Sequence, residues 1–252
     1  MPPHEARAKP TVSVLMYHQV GYFATPQKHR AGYCHVRRFR AQMGYLKSFD
    51  YNVISLEEAI AGLFDDRPLP ARAVVLTFDD GYECFHEHAF PILAQHGFSA
   101  TIFIVTGLLG RCAEWLSDDQ AKAPLMSAAT IRELHRAGIT FGSHSNTHPR
   151  LSSLSESKQR DQIFRSKAVL ENLLAEEVRH FCYPYGDYSR RIKDLVEEAG
   201  YTSALTGRRG AAHNAPNRFE IPRKGISFGD NLLGYFWKLH MKHVSKDCPS
   251  RR

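Results

Sequence analysis

Two adjacent carboxylates directly after an apolar run are the most unusual feature of this sequence. Asp79 and Asp80 follow the stretch 74–78 (VVLTF) and precede Gly81. A short apolar run rich in β-branched residues is typical of a strand buried on both faces in a parallel sheet. Neighbouring carboxylates repel, and neither can be buried in its charged form without a cation or hydrogen bonds. The pair indicates a cleft that holds a positive group, and a metal ion is the simplest candidate, although Asp-Gly is also typical of an ordinary turn.

Two histidines further along the chain add ligands of a second kind. His144 and His148 are four residues apart in HSNTH, so a helical turn or a tight loop could direct both imidazoles to one point. Two imidazoles and one carboxylate suit a catalytic zinc ion with an open coordination position, whereas the alternative is a pair of surface loop histidines. HExxH zinc helices have the same spacing, but here Ser145 and Asn146 replace their Glu. A general base would have to come from elsewhere, and Asp79 is available.

Composition limits the classes of function. The chain has 252 residues, enough for one large α/β domain. Its net charge is +7 and its pI is near 9.2, with the cations scattered along the chain. Scattered cations disfavour a nucleic-acid-binding surface and are compatible with anionic glycans or an anionic membrane face.

Cysteine usage and the chain start predict a cytoplasmic protein. The five cysteines have no CxxC spacing, which favours free thiols in a reducing compartment. Residues 1–10 contain no apolar segment typical of a signal peptide, and no stretch approaches the ~20 apolar residues of a membrane span.

Apolar runs and helical periods alternate along the chain. The main strands are predicted at 11–17, 74–78, 99–105, 139–142, 179–183, 201–205 and 219–226. Two capping boxes, Ser55 with Glu58 and Ser153 with Glu156, are expected to open helices. The alternation predicts one α/β domain, built either as a parallel barrel or as a doubly wound sheet.

The candidate residues share one position relative to these strands. His18, Asp79, Asp80, His144 and the turn 183–185 each follow a predicted strand. In a parallel barrel, chemistry gathers at the carboxyl ends of the strands. This coincidence favours one common site over several unrelated turns.

Three ordered motifs resemble those of the polysaccharide deacetylases of the NodB-homology type, also called carbohydrate esterase family 4. They are TFDDG at 77–81, HSNTH at 144–148 and FCYPYG at 181–186. The opening LMYHQV at 15–20 is similar to the branch that includes exopolysaccharide poly-N-acetylglucosamine deacetylases. The resemblance covers residues 11 to 226. It implies a distorted (β/α) barrel in a single α/β domain, here expected at 11–244 between tails at 1–10 and 245–252.

The resemblance also implies an activity and roles for particular residues. The activity is the metal-dependent hydrolysis of N-acetyl groups on an N-acetylglucosamine-containing polysaccharide or glycolipid. Asp80, His144 and His148 match the metal ligands, with Zn²⁺ as the usual ion, and Asp79 matches the catalytic base. The backbone N–H of Tyr185 matches the group that stabilises the oxyanion.

Two departures from the family pattern leave roles open. Many members carry an Arg that braces the catalytic Asp at the position of Cys182, which we expect to be a small packed residue here. Many also carry a late His-Asp dipeptide whose His is the general acid, and this chain has none. Arg223 is the candidate brace, or else forms a surface ion pair. His18, with His213 behind it, is the candidate acid, or else is a core histidine.

Three other functions compete with N-deacetylation. An O-acetyl esterase needs a weaker acid, since an alkoxide leaves more easily than an amide anion. A glycan-binding module without catalysis is suggested by the two departures. A site of two histidines and one carboxylate can also hold Fe(II) for oxygenase chemistry, but such enzymes mostly have an all-β scaffold.

Two aromatic features have both a functional and a structural interpretation. Trp115, in a loop of about twenty residues, could stack on a sugar ring or cover the core. The segment 232–241 (LLGYFWKLHM) could make a peripheral membrane contact, or it could be a helix packed against the barrel. The oligomeric state has no signal in the sequence.

Overall fold

The structure is a computed structural model that describes residues 11–26, 29–116 and 122–241. The predicted tails at 1–10 and 245–252 lie outside the described residues. The described strands are β1 (Val12–Tyr17), β2 (Gln19–Gly21), β3 (Tyr33–His35), β4 (Asn52–Val53), β5 (Ala73–Phe78), β6 (Thr101–Ile104), β7 (Thr140–Ser143), β8 (His180–Cys182), β9 (Ser203–Arg209) and β10 (Ile221–Gly225). The described α-helices are α1 (Val36–Ser48), α2 (Leu56–Phe64), α3 (Phe90–His96), α4 (Ala128–Arg136), α5 (Glu156–Leu174), α6 (Arg190–Glu198) and α7 (Leu232–His240).

Seven parallel strands form a closed barrel in the order β1-β10-β9-β8-β7-β6-β5. The ring closes because β5 pairs with β1 along its whole length, from Ala73 beside Val12 to Phe78 beside Tyr17. On its other side, β5 pairs with β4 at its start and with β6 at its end. The short β4 therefore lies beside the start of β5, and β6 lies beside its end. Of the two predicted architectures, the barrel is the one observed.

Apolar residues fill the barrel and join it to the helices. All six residues of β5 are buried, as its continuous apolar run predicts. Val14, Val75 and Phe103 of the strands pack in one cluster with Ala59 and Ile60 of α2. The barrel is thus a packed core, and its carboxyl end is where polar side chains can collect.

The two predicted capping boxes have different outcomes. At α2 the backbone N–H of Glu58 donates to Ser55 Oγ at 3.1 Å, and the N–H of Ser55 donates to Glu58 Oε2 at 2.8 Å, so this box is confirmed. The box at Ser153 is wrong. The N-cap of α5 is Ser155, and Ser153 donates its hydroxyl to the carbonyl of Arg150 instead. Ser153 is the last residue of a 3₁₀ turn, Leu151–Ser153, and this turn ends before α5 begins.

Some local structure has no counterpart in the sequence pattern. The segment between β1 and α1 contains the parallel pair β2 and β3. Three-residue strands have no measurable periodicity, so only their pairing defines them. The segment after β5 contains a π-helical stretch, Phe85–Ala89, followed by α3 with Pro91 in its first turn.

The last helix buries only one side. Tyr235 and Leu239 of α7 are buried, and the Tyr235 ring contacts Tyr45 of α1 at 6.0 Å between centroids. Leu233 and Trp237 are exposed. The membrane contact proposed for this segment stays a prediction. Among the described residues, no helix has the length and apolar character needed to cross a bilayer.

Candidate active site

The carboxyl ends of the barrel strands bring the candidate residues together. Asp79 and Asp80 follow β5, and the backbone N–H of Asp79 donates to the Tyr17 carbonyl at the end of β1 at 2.9 Å. His144 follows β7, and its N–H donates to the Ile104 carbonyl at the end of β6 at 2.8 Å. Backbone hydrogen bonds between neighbouring strands therefore fix the backbone positions from which these side chains extend.

Four residues at this end of the barrel have a left-handed backbone conformation. Asp80, Ser145, His148 and Tyr185 have φ angles of 75°, 66°, 61° and 57°, in the left-handed region. Each such residue costs roughly 1–3 kcal/mol and persists only where its surroundings hold it. Ser145 contributes to this, since its hydroxyl accepts a bond from the His148 backbone N–H at 3.0 Å. The strain is typical of a functional site.

Asp80, His144 and His148 form a buried cluster of candidate metal ligands. Asp80 Oδ1 lies 3.4 Å from His144 Nε2 and 3.3 Å from His148 Nε2, and the three ligand atoms are all within 4.8 Å of one another. A tetrahedral ion with bonds of ~2.0–2.1 Å separates two ligand atoms by about 3.3 Å. The separations from Asp80 are therefore those that a small divalent cation requires.

The tautomer of His144 supports the same conclusion. Its Nδ1 lies 2.7 Å from the Cys182 carbonyl oxygen, which can only accept, so Nδ1 carries a proton. In the neutral ring, Nε2 then presents a lone pair to the Asp80 carboxylate. Two lone pairs at 3.4 Å need a positive species between them, either a proton or a metal ion. The three residues fit a divalent cation.

The pKa shifts follow from burial and neighbouring charge. Burial raises the pKa of the Asp80 carboxyl, but the imidazoles outweigh burial and hold that pKa well below its usual range. Burial lowers the pKa of His144, yet Cys182 and the carboxylates outweigh it and the pKa is raised. At His148 burial prevails over Asp80, and the pKa is lowered. Asp80 is thus an anion at neutral pH, and the two imidazoles lie in different environments.

Asp79 is bound by a different partner from its neighbour. Arg223 of β10 donates from Nη1 to Asp79 Oδ1 at 2.6 Å and from Nη2 to Oδ2 at 2.7 Å, and both side chains are buried. Its Nε donates to the Thr206 carbonyl at 3.0 Å, and Nη1 also donates to Thr77 Oγ1 at 3.2 Å. Burial raises the pKa of Asp79, but the guanidinium outweighs burial, and the pKa is lowered.

Cys182 lies beside this ion pair as a packed side chain. Its sulfur accepts from Arg223 Nη2 at 3.0 Å and lies 3.7 Å from Asp79 Oδ2. Burial raises the pKa of the thiol, so it stays protonated at neutral pH and is a poor nucleophile. Asp79, His144 and Cys182 are also close enough to share a cation, but Arg223 already neutralises that group. The set containing Asp80 is therefore the better metal site.

His18 lies near both carboxylates. It is half-buried after β1, and its proximity is among the smaller influences that lower the pKa of Asp79 and of Asp80. Its Nδ1 is buried and has no hydrogen-bond partner within the part of the chain that the structure describes. The ring is thus close to the site with one nitrogen uncommitted.

The position expected for His213 is wrong. Its Nδ1 accepts from the backbone N–H of Val12, at the start of β1, whereas His18 follows the end of that strand. Six residues of strand separate the two ends by about 20 Å. His213 therefore lies at the opposite end of the barrel and cannot support His18.

Aromatic rings form the wall beside His148. The Trp115 ring lies 4.3 Å and the Tyr185 ring 4.5 Å from the His148 ring, between centroids. Tyr185 is 48% exposed, and the Arg150 guanidinium lies 4.5 Å from its ring centre. Sequence reasoning singled out both aromatic residues but not Arg150, nor Thr206, the anchor of Arg223. No local pattern marks either, because their partners are distant in sequence.

Comparisons with known proteins agree with this geometry. The family model described as "Polysaccharide deacetylase" matches residues 66–204, more than half of the chain. The YxkH protein of Bacillus subtilis (strain 168), whose name places it among polysaccharide deacetylases, is 27% identical over 86% of this chain and 71% of its own length. The poly-beta-1,6-N-acetyl-D-glucosamine N-deacetylase of Staphylococcus aureus (strain MRSA252) is 26% identical over 90% of this chain and 82% of its own.

Solved structures show the same fold. The deacetylase PplD of Streptococcus pyogenes superposes with a TM-score of 0.79 at 24% identity, covering 91% of this chain and 98% of that one. IcaB from Ammonifex degensii gives a TM-score of 0.75 at 22% identity, covering 91% and 97%. The distorted barrel is therefore the fold of these proteins. The family model matches more than half of this chain, and the acidic and histidine side chains lie together at one end of its barrel. The chain therefore belongs to the polysaccharide deacetylase family.

Proposed function

We propose that this protein is a metal-dependent hydrolase that removes N-acetyl groups from an N-acetylglucosamine-containing polysaccharide or glycolipid. One observation carries the proposal: Asp80, His144 and His148 converge at metal-ligand separations while Asp79, next in sequence, is held apart by Arg223. A metal site and a separate carboxylate base are the two parts that metal-assisted hydrolysis needs. The named activity of the S. aureus relative supports the N-acetylated sugar as substrate.

Zn²⁺ is the ion that we propose for the site. Two imidazole nitrogens and one carboxylate oxygen are typical donors for a catalytic zinc and leave a coordination position open. The separations of 3.3 and 3.4 Å support a tetrahedral ion. When bound, such an ion supplies a Lewis acid that polarises the acetyl carbonyl and makes water more acidic.

Asp79 is the proposed general base. Arg223 holds both of its oxygens, so the carboxylate has one orientation, and its lowered pKa keeps it ionised at neutral pH. It accepts a proton from the water whose oxygen attacks the acetyl carbonyl carbon. A lowered pKa makes Asp79 a weaker base, so its fixed position matters more than its proton affinity.

The departing amine needs a proton, which we assign to His18. An amide nitrogen leaves poorly as an anion, so cleavage of the C–N bond requires an acid on that side. His18 lies near both carboxylates and has a buried ring nitrogen without a described partner. The backbone N–H of Tyr185 is the proposed donor to the oxyanion of the tetrahedral intermediate. Acetate and a free amine are the products.

The test is acetate release from N-acetylglucosamine oligomers by metal-stripped and zinc-reloaded protein. We expect activity only after reloading, and we expect Asp79→Asn to lose about 10²–10⁴-fold in kcat while it still binds zinc. Wild-type turnover by Asp79→Asn would remove Asp79 as the base. Release from O-acetylated glycans alone would indicate an esterase, and tight glycan binding without any release would indicate a binding module.

A further inference from the structure

The two imidazoles of the candidate metal site are held in different ways. His144 donates from Nδ1 to the Cys182 carbonyl at 2.7 Å. Nδ1 of His148 is buried and has no hydrogen-bond partner among the residues described. A ligating histidine usually has a hydrogen bond at its second nitrogen, which fixes the orientation of the ring. Among the described residues, no hydrogen bond at Nδ1 therefore orients the His148 ring, so its other contacts must do so.

Ring packing is what surrounds His148. Its centroid lies 4.3 Å from that of Trp115, 4.5 Å from that of Tyr185 and 4.9 Å from that of His144. Trp115 lies in the connection between β6 and α4, and Tyr185 follows β8. Two segments distant in sequence thus contact one imidazole. Packed rings restrict rotation about the side-chain torsions by steric contact.

Both packing rings are themselves supported. The Arg150 guanidinium covers Tyr185 at 4.5 Å, and the positive φ of Tyr185 lies in a short 3₁₀ turn, Pro184–Gly186. Trp115 packs with Tyr82, whose ring centre is 6.4 Å away, at the edge of a small apolar cluster. A positioning group must be held itself if it is to hold another group.

We propose that Trp115 and Tyr185 are positioning residues for the metal centre. Their rings keep the His148 imidazole in the orientation in which Nε2 faces Asp80 Oδ1 at 3.3 Å. Packing takes the place of the Nδ1 hydrogen bond that His144 has and that His148 lacks among the described residues. This inference rests on the proposed function, since it assigns a support to one of the proposed ligands.

A sugar-stacking platform is the competing role for these rings, and it predicts a different measurement. Tyr185 is 48% exposed and Trp115 is half-buried, so a sugar ring could reach both. A platform changes KM for the glycan and leaves metal binding as it was. A positioning role changes metal affinity even when no substrate is present.

The experiment measures Zn²⁺ affinity by chelator competition and the visible spectrum of the Co²⁺-loaded protein, both without substrate. We expect Trp115→Ala and Tyr185→Ala to bind Zn²⁺ about 10–100-fold more weakly and to change the Co²⁺ spectrum. Trp115→Phe and Tyr185→Phe keep a ring and should stay close to wild type. Tyr188→Ala is the matched control, because its ring stacks on Tyr183 at 4.8 Å.

Three results would overturn the inference. One is wild-type affinity and an unchanged spectrum in both alanine variants, with only KM raised, which would establish the platform. Another is an equal loss in Tyr188→Ala, which would make the effect a general one. Failure of the wild-type protein to bind a stoichiometric metal ion would overturn the proposed metal centre itself, and the inference with it. Thermal melting of each metal-free variant shows whether it is folded.

Discussion

At the residue scale, two neighbouring aspartates have separate tasks because their partners differ. Asp80 faces two imidazole nitrogens, and Asp79 faces the guanidinium of Arg223. Each anion is buried, and each has positive or potentially positive groups beside it. The repulsion expected between the adjacent carboxylates is thus offset by the imidazoles beside Asp80 and by the guanidinium beside Asp79.

The buried pair of Arg223 and Asp79 makes a stability prediction. Arg223→Met leaves Asp79 buried without its partner, so we expect a loss of about 3–5 kcal/mol in the free energy of unfolding. The double variant with Asp79→Asn should recover part of this loss, because no uncompensated charge remains. Urea unfolding of the four proteins measures the cycle. Additive losses would show that the two side chains do not depend on each other.

His18 makes a prediction about the leaving group. If it protonates the amine, His18→Ala should lose most of its activity on N-acetyl substrates. The same variant should keep its activity on an activated acetyl ester such as p-nitrophenyl acetate, whose phenolate leaves without a proton. The comparison uses kcat on both substrates with zinc-loaded protein. Unchanged amide turnover would exclude His18, and equal loss on both substrates would point to a role in folding or metal binding.

At the element scale, β10 presents successive residues to opposite sides. Arg223 faces the candidate site, and Lys224 faces the layer formed with α7. Lys224 is buried and donates to Ser13 Oγ and to the Leu239 carbonyl, each at 2.9 Å. Because side chains alternate between the two faces of a strand, β10 places one side chain in the candidate site and the next against the last helix.

The burial of Lys224 predicts a pH dependence of stability. Burial lowers its pKa from 10.5 to about 8. Between these two pKa values the unfolded chain binds a proton that the folded protein has released, so the free energy of unfolding rises with pH. The contribution from Lys224 is up to ~1.4 kcal/mol per pH unit. The stability of wild type relative to Lys224→Met should thus increase from pH 8 to pH 10 in urea unfolding. A difference that stays constant would show an unperturbed pKa.

At the scale of the whole molecule, barrel closure determines the site. The proposed ligands follow β5 and β7, which lie on either side of β6 in the ring. A metal ion bound to them connects segments more than sixty residues apart in sequence. Because the unfolded chain has no such site, the free energy of metal binding also contributes to the free energy of folding.

Zinc should therefore stabilise the whole barrel. At a free concentration of about 100 times Kd, binding adds ~2.7 kcal/mol. That corresponds to a rise in Tm of about 5–10 °C for a domain of this size. Asp80→Asn should abolish most of the shift, and Asp79→Asn should keep it, because Asp79 is held by Arg223. A Tm that does not respond to zinc, or that responds equally in both variants, would contradict the assignment of ligands.

The local parts of this protein could be predicted from its sequence. The buried β5, the capping box at Ser55 and the order of strands and helices follow from patterns within a few residues. The carboxylates and histidines were recognisable because their spacing and their motifs are also local. The box expected at Ser153 failed for a local reason as well, since Ser153 ends a 3₁₀ turn and the N-cap of α5 is Ser155.

Which distant side chains meet depends on the folded barrel. Arg223 reaches Asp79 across 144 residues, Trp115 packs on His148, and His213 lies at the opposite end of the barrel from His18. These contacts depend on how β1 and β5 close the ring and on the register of each strand pair. Periodicity describes neighbours along the chain, and register and closure set neighbours in space. The elements and the reactive side chains are therefore predictable from local sequence, whereas their partners follow from the closure of the barrel.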